Sequence, residues 1–278
     1  MTDPLVSTGW LAAHLGEVQV VDATWFMPGE GRAGHAEYLT AHIPGAVFFD
    51  IDVIADQTVD LPHMLPTAQA FADAAGTLGL SRDATIVAYD SFGIRSAARV
   101  WWTLRVMGFA KVFVLDGGLK AWLAEGRATE AGQATLPPGT LSPSLDAGLV
   151  RDLAAVKNLL ESKAAQLVDA RGAARFRGET PEPRAGLRSG HMPGARNTPV
   201  DTLLNADGTM KSVEELRPLF AAAKVNLAEP IVTTCGSGVT ASVVALALAR
   251  LGRLDVAVYD GSWTEWGGRS DTAVVTGS

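Results

Sequence analysis

Short runs of apolar residues, many of them β-branched, alternate along the chain with longer stretches in which apolar positions recur at helical spacing. The runs "VQVVDA" (18–23), "ATIVAYD" (84–90) and "KVFVLDGG" (111–118) have the composition of buried strands. The stretches "TAQAFADAAGTLGL" (67–80) and "SVEELRPLFAAAKV" (212–225) predict amphipathic helices. Because strands that alternate with helices form parallel sheets covered on both faces, we predict an α/β fold.

Four sequence blocks occur twice along the chain in the same order. They are "VVDATW" (20–25) and "LVDARG" (167–172), "AHIPGA" (41–46) and "GHMPGA" (190–195), "TIVAYDSFG" (85–93) and "PIVTTCGSG" (230–238), and "VLDGGLKAW" (114–122) and "VYDGSWTEW" (258–266). The offset between the two copies stays between 144 and 149 residues. A nearly constant offset over four ordered blocks indicates a duplicated domain.

The segment between the two copies, 127–148, is rich in Pro, Gly, Ser and Thr and has neither helical nor strand periodicity. This composition predicts a linker. We therefore predict two tandem α/β domains, one at 1–126 and one at 149–278. Each domain is expected to be a parallel β-sheet flanked by helices on both faces.

Charge and composition exclude several classes of function. The formal net charge of −7 argues against a broad electrostatic surface for nucleic acid or anionic membrane. The chain contains no run of about 18 apolar residues that could span a bilayer, and its first residues form no basic leader. A single cysteine cannot form an intramolecular disulfide, which fits a reducing compartment. We therefore expect a soluble, cytoplasmic protein that binds neither nucleic acid nor membrane.

The single cysteine, Cys235, follows the predicted strand in "PIVTTC" and precedes a glycine-containing loop. Gly236 and Gly238 allow the backbone to turn sharply, so that several amide hydrogens can point inward. The helix predicted to begin near Val239 adds its positive end to the same place. Since ligands of open parallel sheets bind beyond the carboxyl ends of the strands, this loop is a candidate nest for a thiolate or an anionic sulfur.

The residues alone leave other interpretations of this loop open. Cys235 could be a small buried hydrophobic residue, as lone intracellular cysteines often are. A cysteine phosphatase needs an arginine at the end of the loop, where this chain has "VTAS" (239–242), so phosphatase chemistry is disfavoured. In the first copy Asp90 occupies the position of the cysteine, so only the second domain can perform nucleophilic sulfur chemistry.

With the repeated blocks, "CGSGVT" (235–240) resembles the two-domain rhodanese-type sulfurtransferases over nearly the whole chain. Members that use thiosulfate have basic residues after the cysteine, as in C-R-K-G-V-T, whereas this chain has Gly236 and Ser237 and is similar to members that use 3-mercaptopyruvate. The resemblance implies a Cys235 persulfide that passes sulfur from 3-mercaptopyruvate to thioredoxin, a small thiol or cyanide, with release of pyruvate. Transfer from thiosulfate and a non-catalytic rhodanese-like binding module are the alternatives.

The resemblance also implies roles for residues of two further blocks, 48–66 and 174–186. From the first block, Asp52 and His63 would form a hydroxyl relay with Ser237. From the second, Arg175 and Arg184 would bind the carboxylate and keto group of the substrate. The loop residues expected to contact the substrate are Gly236, Gly238, Val239 and Thr240.

Arginine is a suitable residue type for binding the substrate, but residue type alone does not distinguish the two candidates from the other arginines nearby. A planar guanidinium suits a carboxylate better than an ammonium does. However, the arginines at 171, 177 and 188 lie in the same stretch as the two candidates, and any of them could simply be solvated. No glycine-rich phosphate motif, metal-spaced cluster or nucleotide fingerprint occurs in the sequence, so neither cofactor nor metal is expected.

Overall fold

The computed structural model describes residues 3–277, which divide into two compact units. The first unit contains residues 3–58, 65–146 and 206–210, and the second contains residues 59–64, 147–205 and 211–277. Each unit holds one copy of the repeated blocks. The segment predicted as a linker has no helix or regular strand between residues 127 and 146, and these residues belong to the first unit. The predicted domain limits stay a prediction.

The first unit is a five-stranded parallel sheet with the strand order β1-β5-β4-β2-β3. Its strands are β1 (Leu5–Val6), β2 (Gln19–Asp22), β3 (Val47–Phe48), β4 (Ile86–Tyr89) and β5 (Val112–Leu115). Its helices are α1 (Thr8–His14), α2 (Gly34–Thr40), α3 (Ala68–Thr77), α4 (Ser96–Val106) and α5 (Gly118–Ala124).

The second unit repeats this topology, with the strand order β6-β10-β9-β7-β8 and all strands parallel. Its strands are β6 (Val150–Arg151), β7 (Gln166–Asp169), β8 (Arg196–Asn197), β9 (Ile231–Thr234) and β10 (Ala257–Tyr259). Its helices are α6 (Leu153–Ser162), α7 (Ala173–Phe176), α8 (Val213–Ala222), α9 (Val239–Arg250) and α10 (Ser262–Gly268). Two short 3₁₀ segments lie at Ala147–Leu149 and Val200–Thr202.

Local sequence explains why these elements form. The middle strands β4 and β9 have every residue buried, as expected of continuous apolar runs covered on both faces. Helix α8 begins with a capping box, in which Ser212 and Glu215 satisfy each other's backbone amides. Asp152 caps helix α6 by accepting a hydrogen bond from the Ala155 amide. The predicted α/β fold with a parallel sheet flanked by helices in each domain is confirmed.

Each unit buries its own apolar core. In the first, Trp122 packs with Val87 and Leu115 from the sheet. In the second, Trp263 and Trp266 belong to the core cluster, and both tryptophans are at most 3% exposed. Among residues 3–277, no helix combines the length and apolar character needed to cross a membrane.

Candidate active site

Cys235 lies directly after β9, the middle strand of the second sheet. Helix α9 begins four residues later, at Val239. The turn between the two elements is short because Gly238, which precedes the helix, adopts a left-handed conformation with φ of +80°. Cys235 is 2% exposed, so it is almost fully buried. The strand–loop–helix context predicted for the cysteine is confirmed.

The start of helix α10 holds the backbone of the cysteine loop. Ser262 Oγ accepts a hydrogen bond from the Cys235 amide at 3.2 Å, and the Trp263 amide donates to the Cys235 carbonyl at 2.9 Å. The amide and hydroxyl of Thr264 both donate to the Gly236 carbonyl, at 2.9 and 2.7 Å. These three residues were not predicted as part of the site. Their only signal in the sequence is their position in the repeated block "VYDGSWTEW" (258–266). The repeat marks this segment but does not reveal its contacts.

One hydrogen bond of the cysteine loop has a counterpart in the loop of the first unit. The Leu119 amide donates to the Asp90 carbonyl at 3.0 Å, as the Trp263 amide does to the Cys235 carbonyl. Gly118 occupies the position of Ser262, and both residues have positive φ, +55° and +49°. The two loops therefore share this hydrogen bond and the positive φ of the residue before its donor, but they join their helices differently, because α4 begins at Ser96, six residues after Asp90, and α9 begins at Val239, four residues after Cys235.

In the first unit the carboxylate of Asp90 accepts hydrogen bonds from backbone amides of the residues that follow it. Oδ1 accepts hydrogen bonds from the amides of Phe92 and Gly93 at 2.9 and 3.0 Å. Oδ2 accepts from the amides of Arg95 and Ala97 at 2.7 and 2.8 Å. Asp90 is fully buried. This backbone arrangement is therefore a site for an anion, and in the first unit the anion is part of the chain.

Replacing Asp90 with alanine is expected to destabilise the first unit by about 3 kcal/mol, because four buried amides lose a charged acceptor. The loss is measured by urea unfolding followed by tryptophan fluorescence, with separate midpoints fitted if the units unfold separately. Asp83→Ala, at an exposed position of the same unit, is the control, expected to change stability by less than about 0.5 kcal/mol. Equal midpoints for the two variants would contradict the structural role of Asp90.

Two arginines face the cysteine loop of the second unit. A β-carbon placed on Gly236 would lie 3.4 Å from Arg175 Nη2 and 3.9 Å from Arg184 Nη1. Arg175 lies on the short helix α7 and keeps 30% of its side chain exposed. The structure thus brings both predicted substrate arginines to the residue that follows Cys235. Their role in binding stays a prediction.

The other arginines of this stretch have structural contacts. Arg171 is buried and forms ion pairs with Asp169 and Glu182, at 2.7 and 2.8 Å. Burial lowers its pKa, but the two carboxylates outweigh burial, so the pKa of Arg171 is raised. Arg188 donates to the backbone carbonyls of residues 266, 267 and 272, and Arg177 pairs at the surface with residue 179. The sequence alone could not separate these arginines from the two at the loop.

The residues of the expected hydroxyl relay lie in both units. Ser237 belongs to the cysteine loop and is 7% exposed, and His63 lies in the segment 59–64 that belongs to the same unit. His63 is buried and has φ of +60°, a conformation uncommon for residues other than glycine and often found at functional sites. Asp52 belongs to the first unit, where Trp25 Nε1 donates to its carboxylate at 2.7 Å. The relay stays a prediction.

The rhodanese-like domain family matches this chain twice, at residues 7–125 and 152–269. The chain belongs to the rhodanese-like family. Both matches coincide with a copy of the repeated blocks, and the second rhodanese-like domain is the one that carries Cys235.

Relatives of known activity are similar over almost the whole chain. Thiosulfate/3-mercaptopyruvate sulfurtransferase 1, mitochondrial, of Arabidopsis thaliana is 44% identical over 98% of this chain and 78% of its own length. Thiosulfate sulfurtransferase of Bos taurus is 45% identical, covering 94% of this chain and 91% of its own length. The crystal structure of SseA from Escherichia coli, a 3-mercaptopyruvate sulfotransferase, has a TM-score of 0.87 and 42% identity, covering 94% of this chain and 99% of SseA. This rhodanese-like chain is a sulfurtransferase.

Proposed function

We propose that the chain transfers the sulfur of 3-mercaptopyruvate to an acceptor through a persulfide on Cys235. The observation that carries this proposal is the filled loop of the first domain. The offset of 145 residues between Asp90 and Cys235 makes Ser237, Gly238, Thr240 and Ser242 the counterparts of the four residues whose amides bind the Asp90 carboxylate.

The side chain of aspartate resembles a cysteine persulfide in connectivity. In aspartate, two bonds separate Cβ from each charged oxygen, and in a persulfide two bonds separate Cβ from the charged outer sulfur. We propose that a persulfide on Cys235 takes the corresponding place in the second domain, among the amides at these sequence positions. Backbone amides that are aimed at a developing anion stabilise it without reorganisation. The comparison with Asp90 therefore supports our proposal that the cysteine loop of the second domain binds anionic sulfur.

Two features of the loop support 3-mercaptopyruvate as the donor. Arg175 and Arg184 flank Gly236 and supply guanidinium groups for the carboxylate and keto oxygen of an α-keto acid. Gly236 and Ser237 stand where thiosulfate-using members of the family carry basic residues. Sequence identity does not decide the donor, because relatives at 44% and 45% identity are named for both.

In the first half-reaction the Cys235 thiolate attacks the thiol sulfur of 3-mercaptopyruvate. A sulfur–sulfur bond forms, the carbon–sulfur bond breaks, and its electron pair becomes the enolate of pyruvate. The proton of the substrate thiol ends on the enolate carbon, so that the products are pyruvate and the Cys235 persulfide anion. Ser237, polarised by His63 and Asp52, is proposed to pass this proton, while Gly236, Gly238, Val239 and Thr240 surround the anionic sulfur.

In the second half-reaction an acceptor thiolate attacks the outer sulfur. The Cys235 thiolate leaves and the acceptor becomes a persulfide; cyanide as acceptor gives thiocyanate instead. Thioredoxin or a small thiol is the proposed acceptor. The two half-reactions share a covalent intermediate, so ping-pong kinetics are expected. We also propose a cytoplasmic location, which cell fractionation with an antibody to the chain would test.

Mixing the protein with excess 3-mercaptopyruvate and no other acceptor is expected to release about one pyruvate per chain in a fast burst, because one thiol stores one sulfur. A slower release follows the burst, since 3-mercaptopyruvate is itself a small thiol that can accept the sulfur. Intact and peptide mass spectra should place the added sulfur on Cys235. Thiosulfate in a parallel sample is expected to load the thiol more slowly. If thiosulfate alone loads it, the donor is wrong; if neither donor loads it, the catalytic proposal is wrong.

The same burst tests the relay. Ser237→Ala is expected to slow the burst by about 100-fold without changing its amplitude, because proton transfer is impaired while the thiol remains. Ser91→Ala, the change at a loop serine of the first domain, is the control and should leave the burst rate unchanged. An unaltered rate in Ser237→Ala would remove the serine from the mechanism.

A further inference from the structure

Thr264 of helix α10 holds the carbonyl oxygen of Gly236, the residue that follows Cys235. Its amide donates to this oxygen at 2.9 Å and its hydroxyl donates at 2.7 Å. A backbone carbonyl oxygen has two lone pairs, so these two donors use its full capacity as an acceptor. Thr264 is half-buried, which limits the competition from water. The Gly236 carbonyl is therefore directed toward α10 by two separate hydrogen bonds.

The direction of a carbonyl group fixes the direction of the next amide. In a trans peptide the C=O and the following N–H point in opposite directions. Because the Gly236 carbonyl points to α10, the Ser237 amide points away from this helix. The Trp263 amide donates to the Cys235 carbonyl at 2.9 Å, so the Gly236 amide is also directed away from α10. Helix α10 thus orients the two amides that follow the nucleophile.

The first domain shows what an amide at this sequence position binds. Phe92 is the counterpart of Ser237, and its amide donates to Asp90 Oδ1 at 2.9 Å. In that loop the carboxylate is a permanent acceptor that holds the amide in place. A cysteine has no such oxygen, so the peptide after Gly236 must be oriented from outside the loop before charge forms on the sulfur.

The threonine hydroxyl belongs to the copy that carries the cysteine. The repeated blocks at 114–122 and 258–266 make Lys120 the counterpart of Thr264. Lysine has no hydroxyl, and Lys120 Nζ instead lies 3.3 Å from the carbonyl oxygen of Ala206. The hydroxyl bond to the loop carbonyl is therefore a feature of the domain with the nucleophile and not of the repeated fold.

We propose that Thr264 is a positioning residue for the sulfur chemistry of Cys235. By holding the Gly236 carbonyl, it keeps the Ser237 amide aimed at the cysteine sulfur, where the amide stabilises negative charge on the thiolate and on the persulfide. Such an amide stabilises charge best when its direction is fixed in advance. Thr264 acts through the peptide and touches no substrate. The part of this inference that concerns the persulfide rests on the proposed function.

The test is the burst of pyruvate release in Thr264→Val. Valine keeps the shape and the backbone amide of threonine and removes only the hydroxyl. At saturating 3-mercaptopyruvate we expect the burst to slow by about tenfold, because one of two orienting bonds is lost. The donor concentration at half-maximal burst rate should stay within about twofold, since the arginines are unchanged. A burst rate within about twofold of wild type would overturn the proposal.

Two matched variants separate the hydroxyl from other effects. Thr264→Ser keeps the hydroxyl and should leave the burst rate within about threefold of wild type. Thr202→Val makes the same chemical change in the same unit, where the hydroxyl donates to the Pro199 carbonyl at 2.6 Å. Its burst rate should stay within about twofold of wild type. The burst amplitude counts the chains that load sulfur, so a fraction of unfolded protein does not alter the rate. Equal slowing in Thr264→Ser and Thr264→Val would exclude the hydroxyl and overturn the proposal.

Alkylation by iodoacetamide gives a measurement that needs no sulfur donor. Cys235 is the single cysteine of the chain, so the reaction reports this thiol alone. The thiolate is the reacting form, and we expect Thr264→Val to lower the alkylation rate at neutral pH by about threefold or more. An unchanged rate would show that the amide does not stabilise the thiolate, and a faster rate would show that Thr264 only shields it. Either result would overturn the proposal. Failure of the proposed function looks different, since the wild-type protein would then be alkylated but release no pyruvate from 3-mercaptopyruvate.

Discussion

Cys235→Ser is expected to lower pyruvate release from 3-mercaptopyruvate by at least about 1,000-fold and to abolish the addition of sulfur to the protein. A serine hydroxyl is a much poorer nucleophile for sulfur and cannot store the transferred atom as a persulfide. The loop should keep its shape, because α10 holds the backbone of residues 235 and 236 rather than the thiol. The loss therefore reports chemistry and not folding.

The measurement is a stopped-flow pyruvate assay combined with intact mass spectrometry. The thermal midpoint of Cys235→Ser should lie within about 3 °C of the wild-type midpoint, since the substitution is small. Cys235→Ala, which lacks any hydroxyl, should behave in the same way. Pyruvate release by either variant at more than a few per cent of the wild-type rate would mean that Cys235 is not the sulfur acceptor.

Arg184→Ala is expected to lower kcat/KM for 3-mercaptopyruvate by about 100-fold, mainly through a higher KM. A guanidinium binds a carboxylate by two parallel charge-assisted hydrogen bonds, and its removal leaves the substrate charge poorly compensated. The persulfide itself needs only the loop, so a high donor concentration should still load one sulfur per chain. A variant that still loads one sulfur per chain but needs more donor to do so has lost donor binding and kept the chemistry, which identifies a binding role for Arg184.

Arg177→Ala is the matched control for Arg184→Ala. Arg177 lies in the same stretch, but it pairs at the surface with Glu179, whereas Arg184 Nη1 lies 3.9 Å from the β-carbon position of Gly236. We expect its kcat/KM to stay within about twofold of wild type. If both variants lose activity equally, the effect is a general loss of positive charge. If neither does, Arg184 does not bind the substrate.

Much of the fold could be predicted from the sequence because it depends on local pattern. The runs that became β2, β4 and β5 are apolar and β-branched, and the stretches that became α3 and α8 have helical spacing and caps. The repeated blocks predicted two copies of one topology, which the identical strand orders confirm. The position of Cys235 between a strand and a helix followed from the same local signals.

The use of the arginines could not be predicted, because it depends on partners that are distant in the chain or on side-chain direction. Arg171 and Arg175 are four residues apart and share the carboxylate of Glu182, yet one is buried in ion pairs and the other faces Gly236. Ser262 and Thr264 support the cysteine loop from a helix that begins 27 residues later. Nothing in their residue types marks this function.

The sequence by itself determined the two α/β domains, the single cysteine and the aspartate, Asp90, at the corresponding position of the first domain. Those features reside in spacing and in residue identity, which the linear chain contains. Only the tertiary structure decided that the Asp90 carboxylate accepts hydrogen bonds from four amides and that Glu182 forms an ion pair with Arg175 beside the cysteine loop. Hydrogen bonds and ion pairs depend on distance and direction, and both arise only when the strands and helices pack together.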